Sequence, residues 1–159
     1  MTTDHPGTAW ERYRETMAPP PPRLGTAARA NDVAELDRLL AEGHAIDERD
    51  HRGYAPVMLA AYAGNLEALE LLLARGADPN TTDLFGNTAL MGAAFKGLLP
   101  IVERLLAAGA ELAATNNAGL DARGFALSFG RADVFAVLDR HARRAAAPAT
   151  GSPAQEARR

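Results

Sequence analysis

Few residues of this sequence could perform acid–base, nucleophilic or metal chemistry, and their spacing does not group them. The four histidines form no i, i+4 pair and no His-Glu-x-x-His motif; they are His5, His44, His51 and His141. The absence of cysteine excludes a disulfide, a thiolate metal site and a thiol nucleophile. No Gly-x-Ser-x-Gly motif occurs. We therefore predict that the protein is not an enzyme and has no catalytic, cofactor-binding or metal-binding residues.

The aspartates follow a repeated pattern and do not form a catalytic pair. Asp47, Asp50, Asp78 and Asp83 fall at turns between apolar segments. Aspartate is common in turns because its carboxylate accepts hydrogen bonds from nearby backbone N–H groups. We predict that these side chains form turns and caps.

Glycines recur every 33 residues in three registers, and this interval indicates the architecture of the chain. The series are Gly43, Gly76 and Gly109; Gly53, Gly86 and Gly119; and Gly64, Gly97 and Gly130. Such a period is typical of stacked structural repeats, which mostly act by holding other molecules.

In each unit of the repeat, the sequence predicts a turn followed by two short helices. The turn has Asp or Asn first and Gly fourth, as a type I turn prefers, at residues 50–53, 83–86 and 116–119. The first helix follows an N-cap residue such as Thr88 or Asp121, and it ends at a glycine or, in the first unit, at Asn31. Leucines at three- and four-residue spacing mark the second helix. The sequence thus predicts an all-α protein.

These motifs resemble the ankyrin repeat. The family motif Asp-x-x-Gly-x-Thr-Pro-Leu-His-x-Ala-Ala-x-x-Gly, followed by a leucine helix and Gly-Ala-Asp-x-Asn, is matched by residues 50–64 and 76–80, and again by residues 86–97 and 109–111. The resemblance covers about residues 23–141. It implies an ankyrin-repeat solenoid of about four helix–turn–helix units with projecting β-turn fingers and a concave face, in a small bacterial-type protein. The motif's histidine is replaced by Met58 and Met91, which removes hydrogen bonds that stabilise the turn.

Residues that the repeat does not require identify a candidate contact surface. In the architecture that the resemblance implies, finger tips and the outer face of the first helices line the concave side. The predicted partner-binding residues there are Arg52, Tyr54, Tyr62, Leu84, Phe85, Phe95, Lys96, Phe125 and Phe129. Aromatic anchors beside a cation are frequent hot spots of protein interfaces. For Phe125 and Phe129 the alternative is packing within the last unit, which departs most from the motif.

Two segments lie outside the predicted repeat domain, which spans residues 23–141. In residues 1–22, Trp10, Tyr13 and Met17 share one face of a short helix before a proline-rich linker. We predict that this helix caps the stack, the alternative being a separate docking motif. Residues 142–159 lack periodicity and are predicted to be a disordered tail.

Composition narrows the class of partner and the compartment. The net charge of −3 disfavours nucleic acid, which needs a basic surface. No apolar run reaches the ~18 residues that a membrane span requires, and the first residues show no signal peptide. We predict a cytoplasmic protein whose partner is neither nucleic acid nor a membrane.

The leading functional hypothesis is a non-enzymatic module that binds a protein partner through its concave face. A resemblance to small bacterial ankyrin proteins encoded beside catalases implies an alternative, an accessory role in peroxide defence or haem handling, in which His51 and Tyr54 would offer an axial ligand near Phe85. A third hypothesis is a self-associating scaffold in which the N-terminal helix docks on a second copy. For the leading hypothesis we predict a monomer and no cofactor.

Overall fold

Eight helices form four helix–turn–helix pairs in residues 22–147, the part of the chain that this computed structural model describes. They are α1 (Arg23–Ala30), α2 (Val33–Ala41), α3 (Pro56–Ala63), α4 (Leu66–Ala74), α5 (Ala89–Lys96), α6 (Leu99–Ala107), α7 (Ala122–Ser128) and α8 (Ala132–Ala146). The first helices α1, α3, α5 and α7 contact one another in that order, and the second helices α2, α4, α6 and α8 form a parallel layer behind them. The predicted all-α repeat solenoid is confirmed.

Leucines spaced 33 residues apart form the core between the two layers. Leu39, Leu72, Leu105 and Leu138 lie on successive second helices and are all 0% exposed. On the first helices the equivalent core positions are small, and Ala60, Ala61, Ala93 and Ala94 are likewise 0% exposed. These alanines let neighbouring first helices pack closely.

Each finger is a tight turn built around one Asp or Asn side chain. In the finger that precedes α5, Asp83 Oδ1 accepts hydrogen bonds from the backbone N–H groups of Phe85 and Asn87, both at 2.8 Å. The Asp50 and Asn116 side chains do the same in the neighbouring fingers. The predicted turn role of Asp50 and Asp83 is therefore confirmed.

Adjacent fingers are joined by backbone hydrogen bonds. The N–H of Leu84 donates to the Arg52 carbonyl at 3.3 Å, and the N–H of Asn117 donates to the Phe85 carbonyl at 2.9 Å. These bonds join the first finger to the second and the second finger to the third. They give the row of fingers a continuous support for the side chains that it carries.

The predicted N-caps Thr88 and Asp121 and the left-handed Asn31 are confirmed, and a methionine sulfur supplies one hydrogen bond where the motif's histidine is missing. Thr88 and Asp121 cap α5 and α7, accepting from the N–H groups of Met91 and Gly124. Asn31 takes the left-handed conformation with φ 56°. The Met91 sulfur accepts a hydrogen bond from the Thr88 N–H at 3.4 Å, so the turn before α5 keeps a side-chain partner where the family motif has histidine.

The last helix extends beyond the predicted end of the repeat domain. It continues through residues 142–146, which were assigned to the C-terminal tail, and ends at Ala146. Alanine and arginine are good helix formers, and Arg143 forms an i, i+4 ion pair with Asp139 at 2.8 Å. The predicted N-terminal helix with Trp10, Tyr13 and Met17, and the tail from residue 148 onward, lie outside the described residues.

Candidate functional site

A groove of about 620 Å³ opens between the first helices and the first two fingers. We call it the aromatic groove, after the rings that line it: Tyr54, Tyr62, Phe95 and Phe125. Residues of α1, α3, α5 and α7 contribute to its walls, so the groove crosses all four repeats. Of the nine predicted partner-binding residues, it brings together these four with Arg52 and Lys96.

The 33-residue spacing explains why side chains from different helices face the same groove. Arg29, Tyr62 and Phe95 occupy one equivalent position in α1, α3 and α5. Stacked repeats place equivalent residues in a row. These three side chains therefore form a ridge along the groove, in which Tyr62 is 48% exposed.

The aromatic rings contact one another in a continuous chain. Tyr62 and Phe95 are stacked with centroids 6.5 Å apart, and the Phe129 ring meets the Phe95 ring edge-on at 4.5 Å. Phe125 and Phe129 are stacked at 6.5 Å. Such pairs contribute roughly 0.5–1.5 kcal/mol each beyond area burial. The rings therefore hold one another in place while part of their surface stays open to water.

A glycine makes room for this arrangement. Gly92 lies in the middle of α5, where the equivalent residues are Leu59 in α3 and Phe125 in α7. A Cβ atom on Gly92 would lie 3.0 Å from Cδ2 of Tyr62. Glycine in a helix interior lowers stability by roughly 0.5–1 kcal/mol relative to alanine. Here it leaves the space that the Tyr62 ring occupies.

Cations surround the rings. The Lys96 ammonium lies 4.4 Å from the centroid of the Tyr62 ring, a cation–π distance. Arg29 and Arg52 line the groove from α1 and the first finger. Within residues 22–147 none of these three cations forms a salt bridge.

The carboxylate that lines the groove is already engaged in its own finger. Asp83 is 8% exposed, and its two oxygens accept hydrogen bonds from the N–H groups of Phe85 and Asn87 and from the Asn87 side-chain amide. It therefore stabilises the finger, and within residues 22–147 it forms no ion pair with the cations of the groove.

Three predicted residues lie outside the groove lining. Leu84 and Phe85 are 69% and 68% exposed at the tip of the second finger. Phe129, at 49% exposed, reaches the chain of rings through its edge contact with Phe95.

Phe125 is half-buried. It packs against the core and also lines the groove, so both predicted alternatives apply to it. His51 is exposed on the first finger and does not line the groove.

The groove lining also contains residues that the sequence did not predict to bind a partner, among them Arg29, Met58, Met91 and Gly92. The repeat itself carries the signal for two of them. Arg29 precedes Tyr62 by one period, and Gly92 stands where the neighbouring repeats have Leu59 and Phe125. Met58 and Met91 depart from the family motif, but their place in the groove lining depends on how the helices pack.

Residues 22–147 contain neither a cluster of metal ligands nor a helix that could span a membrane. No three His, Asp or Glu side chains there lie close enough to hold a metal ion. Among the helices of the same range, none combines the length and apolar character needed to cross a membrane.

Comparison with known families agrees with the architecture. The family model described as ankyrin repeats (three copies) matches residues 24–138, from α1 into α8. A search of curated proteins gives no match. Repeats of this family are generally protein–protein interaction modules and are typically non-enzymatic. From the 33-residue period, the stacked helix pairs and this match, we conclude that the chain belongs to the ankyrin repeat family.

Proposed function

We propose that this protein is a non-enzymatic binding module whose aromatic groove, on the concave side of the stack, receives a segment of a protein partner. One observation carries the proposal: part-exposed aromatic rings form a connected chain across three consecutive repeats. Exposed aromatic surface is unfavourable in water, and contiguous patches of it mark binding sites. Neither nucleic acid nor a membrane is part of the proposal, and the protein acts as a monomer.

The size of the groove suits side chains of a partner. Its volume of about 620 Å³ lies inside the ~300–1,000 Å³ range of ligand sites. Because the groove crosses several repeats, an extended or helical segment contacts more than one ring at a time. Partner side chains that cover Tyr62 and Phe95 remove apolar surface from water, which is worth roughly 25 cal/mol per Å².

The rings are held in place before a partner arrives. Phe95 contacts both Tyr62 and Phe129, and the Lys96 ammonium lies over the opposite end of the chain at Tyr62. Side chains that are already ordered lose little rotamer freedom on binding. Phe95 therefore has the central position that interface hot spots usually have.

The interface is proposed to extend to the second finger. Leu84 and Phe85 are both about two-thirds exposed, and their backbone is fixed by hydrogen bonds to the fingers on either side. A rigid apolar pair at an exposed turn fits a second contact point of the same partner.

Replacing Phe95 with alanine is expected to weaken partner binding about 30-fold, which corresponds to about 2 kcal/mol. The substitution removes the ring that joins Tyr62 to Phe129 and leaves a gap at the centre of the groove. Random peptides displayed on phage are selected on the immobilised protein, and the Kd of the selected peptides for both forms is measured by fluorescence anisotropy.

Leu127→Ala is the matched control, because Leu127 is 68% exposed on α7 and does not line the groove. It is expected to leave the Kd unchanged. Phe85→Ala measures the contribution of the finger tip separately. Equal affinity of the Phe95→Ala variant, with native circular dichroism, would show that the groove is not the binding site.

A further inference from the structure

The charges of the first helices differ in sign from most of those on the second helices α2, α4 and α6. The charged residues of the first helices are all basic: Arg23, Arg29, Lys96 and Arg123. The second helices α2, α4 and α6 are mainly acidic, with Glu35, Asp37, Glu67, Glu70 and Glu103 against Arg38 and Arg104. The last helix α8 differs, because it carries three arginines against two aspartates. The groove side of this net-acidic chain is therefore cationic.

The cations of α2 and α6 are paired locally, in contrast to those of the groove. Arg38 forms ion pairs with Glu35 and Glu42, and Arg104 lies 3.8 Å from Glu70. Hydrogen bonds from Arg38 hold the pKa of Glu35 below its ordinary value. Within the described residues, Arg29, Arg52 and Lys96 have no such carboxylate partner.

We propose that the segment received by the aromatic groove is acidic as well as apolar, with Asp or Glu side chains next to large apolar ones. This inference rests on the proposed function and specifies the chemistry of the partner. The observation behind it is charge complementarity, because three cations line the same cavity as the rings and its one lining carboxylate, Asp83, is engaged in its finger.

The arrangement assigns different parts of the segment to different parts of the groove. Apolar side chains pack on Tyr62, Phe95 and Phe125. Carboxylates meet the guanidinium groups of Arg29 and Arg52, which bind a carboxylate through two parallel hydrogen bonds. Charges at the rim mainly raise the rate of association and exclude partners of the wrong sign. A basic segment would be repelled even if its apolar residues fitted.

Peptides selected from the random phage library test the chemistry of the partner. We expect them to contain an excess of Asp and Glu beside aromatic or aliphatic residues. A selected peptide and its Glu→Lys counterpart are then compared, and the acidic form is expected to bind at least tenfold more tightly. Its affinity should fall as NaCl rises from 0.1 to 1 M, because the screening length shortens from ~10 Å to ~3 Å over that range.

The double variant Arg29→Glu/Arg52→Glu is expected to bind the acidic peptide at least tenfold more weakly. Neither side chain makes a hydrogen bond or ion pair within the described residues, so its reversal breaks no such contact there. Arg140→Glu/Arg144→Glu is the matched control, because both arginines are exposed on α8 away from the groove and give the same net charge. This control is expected to bind the peptide nearly as well as the natural protein.

The outcomes separate the two proposals. The proposal of an acidic partner would be wrong if the selected peptides had no excess of Asp and Glu, or if the Glu and Lys forms bound equally well. If binding still depended on Phe95, the groove would remain the binding site. An equal loss in both double variants would also overturn the proposal of an acidic partner, because net charge alone would explain the effect. Binding that is insensitive to Phe95→Ala would overturn the proposed function itself, and a library that gives no binder would overturn both.

Discussion

Replacing Leu105 with alanine is expected to lower the free energy of unfolding by about 2–5 kcal/mol. Leu105 is 0% exposed, and its helix α6 packs against α5 and against the second helices on both sides, α4 and α8. The truncation leaves a cavity at a point where two repeat interfaces meet. Because the stability of a stacked repeat protein is nearly a sum of repeat and interface terms, a loss here weakens two interfaces at once. Urea denaturation followed by circular dichroism measures the change.

The repeat supplies its own controls for this experiment. Leu127→Ala makes the same chemical change at an exposed position and is expected to alter the stability by less than about 0.5 kcal/mol. Leu138→Ala removes an equally buried side chain from the last helix, which has a described neighbour on one side only. We expect Leu138→Ala to destabilise less than Leu105→Ala and to open α7 and α8 first in hydrogen exchange. Equal losses at both sites would contradict the view that the inner repeats couple their neighbours.

Replacing Gly86 with alanine is expected to lower the free energy of unfolding by about 2–3 kcal/mol. This is more than the strain of an alanine in the left-handed conformation explains by itself. Gly86 has φ +76°, where an L side chain costs roughly 1–2 kcal/mol. Its Cβ would also lie 2.8 Å from Oδ1 and 3.2 Å from the backbone nitrogen of Asn117. That nitrogen donates to the Phe85 carbonyl, so relief of the clash strains the bond between the second and third fingers.

Gly119→Ala isolates the conformational part of this cost. Gly119 closes the next finger with φ +77°, and its Cβ would meet nothing within 4 Å. We expect the free energy of unfolding of this variant to fall by only about 1–2 kcal/mol. Chemical denaturation of both variants gives the difference between them. If the two losses were equal, the contact between neighbouring fingers would contribute nothing to stability, and the rigidity assigned to Leu84 and Phe85 would have no basis.

The scaffold and the proposed site depend on the same contacts. The hydrogen bond from the Leu84 N–H to the Arg52 carbonyl joins the finger that carries Arg52 to the finger that carries Asp83. Damage to a finger is therefore expected to disturb the cations and rings of the groove together. For this reason each binding variant is paired with a control that leaves the core and the fingers unchanged.

Local rules were sufficient to predict much of this molecule. The 33-residue period, the turn aspartates, the N-caps Thr88 and Asp121 and the left-handed Asn31 all follow from backbone preferences of a few residues. The alignment of Tyr62 with Phe95 follows from the period as well, because equivalent residues of stacked repeats share a face. The prediction of a disordered tail from residue 142 is wrong for residues 142–146, since composition alone does not show that a helix continues past its last core contact.

The sequence by itself determined the repeat, the two helix layers and the row of aromatic positions, because each depends on residues close together in the chain or on one fixed spacing. Only the tertiary structure decided that Phe129 meets Phe95 edge-on, that Lys96 lies over Tyr62, and that Gly92 leaves the space for that ring. The structure also shows that Leu84 and Phe85 lie outside the groove lining and that Arg29 lies within it. These features depend on side-chain packing between residues roughly one repeat apart, where the sizes and rotamers of both partners decide which atoms meet.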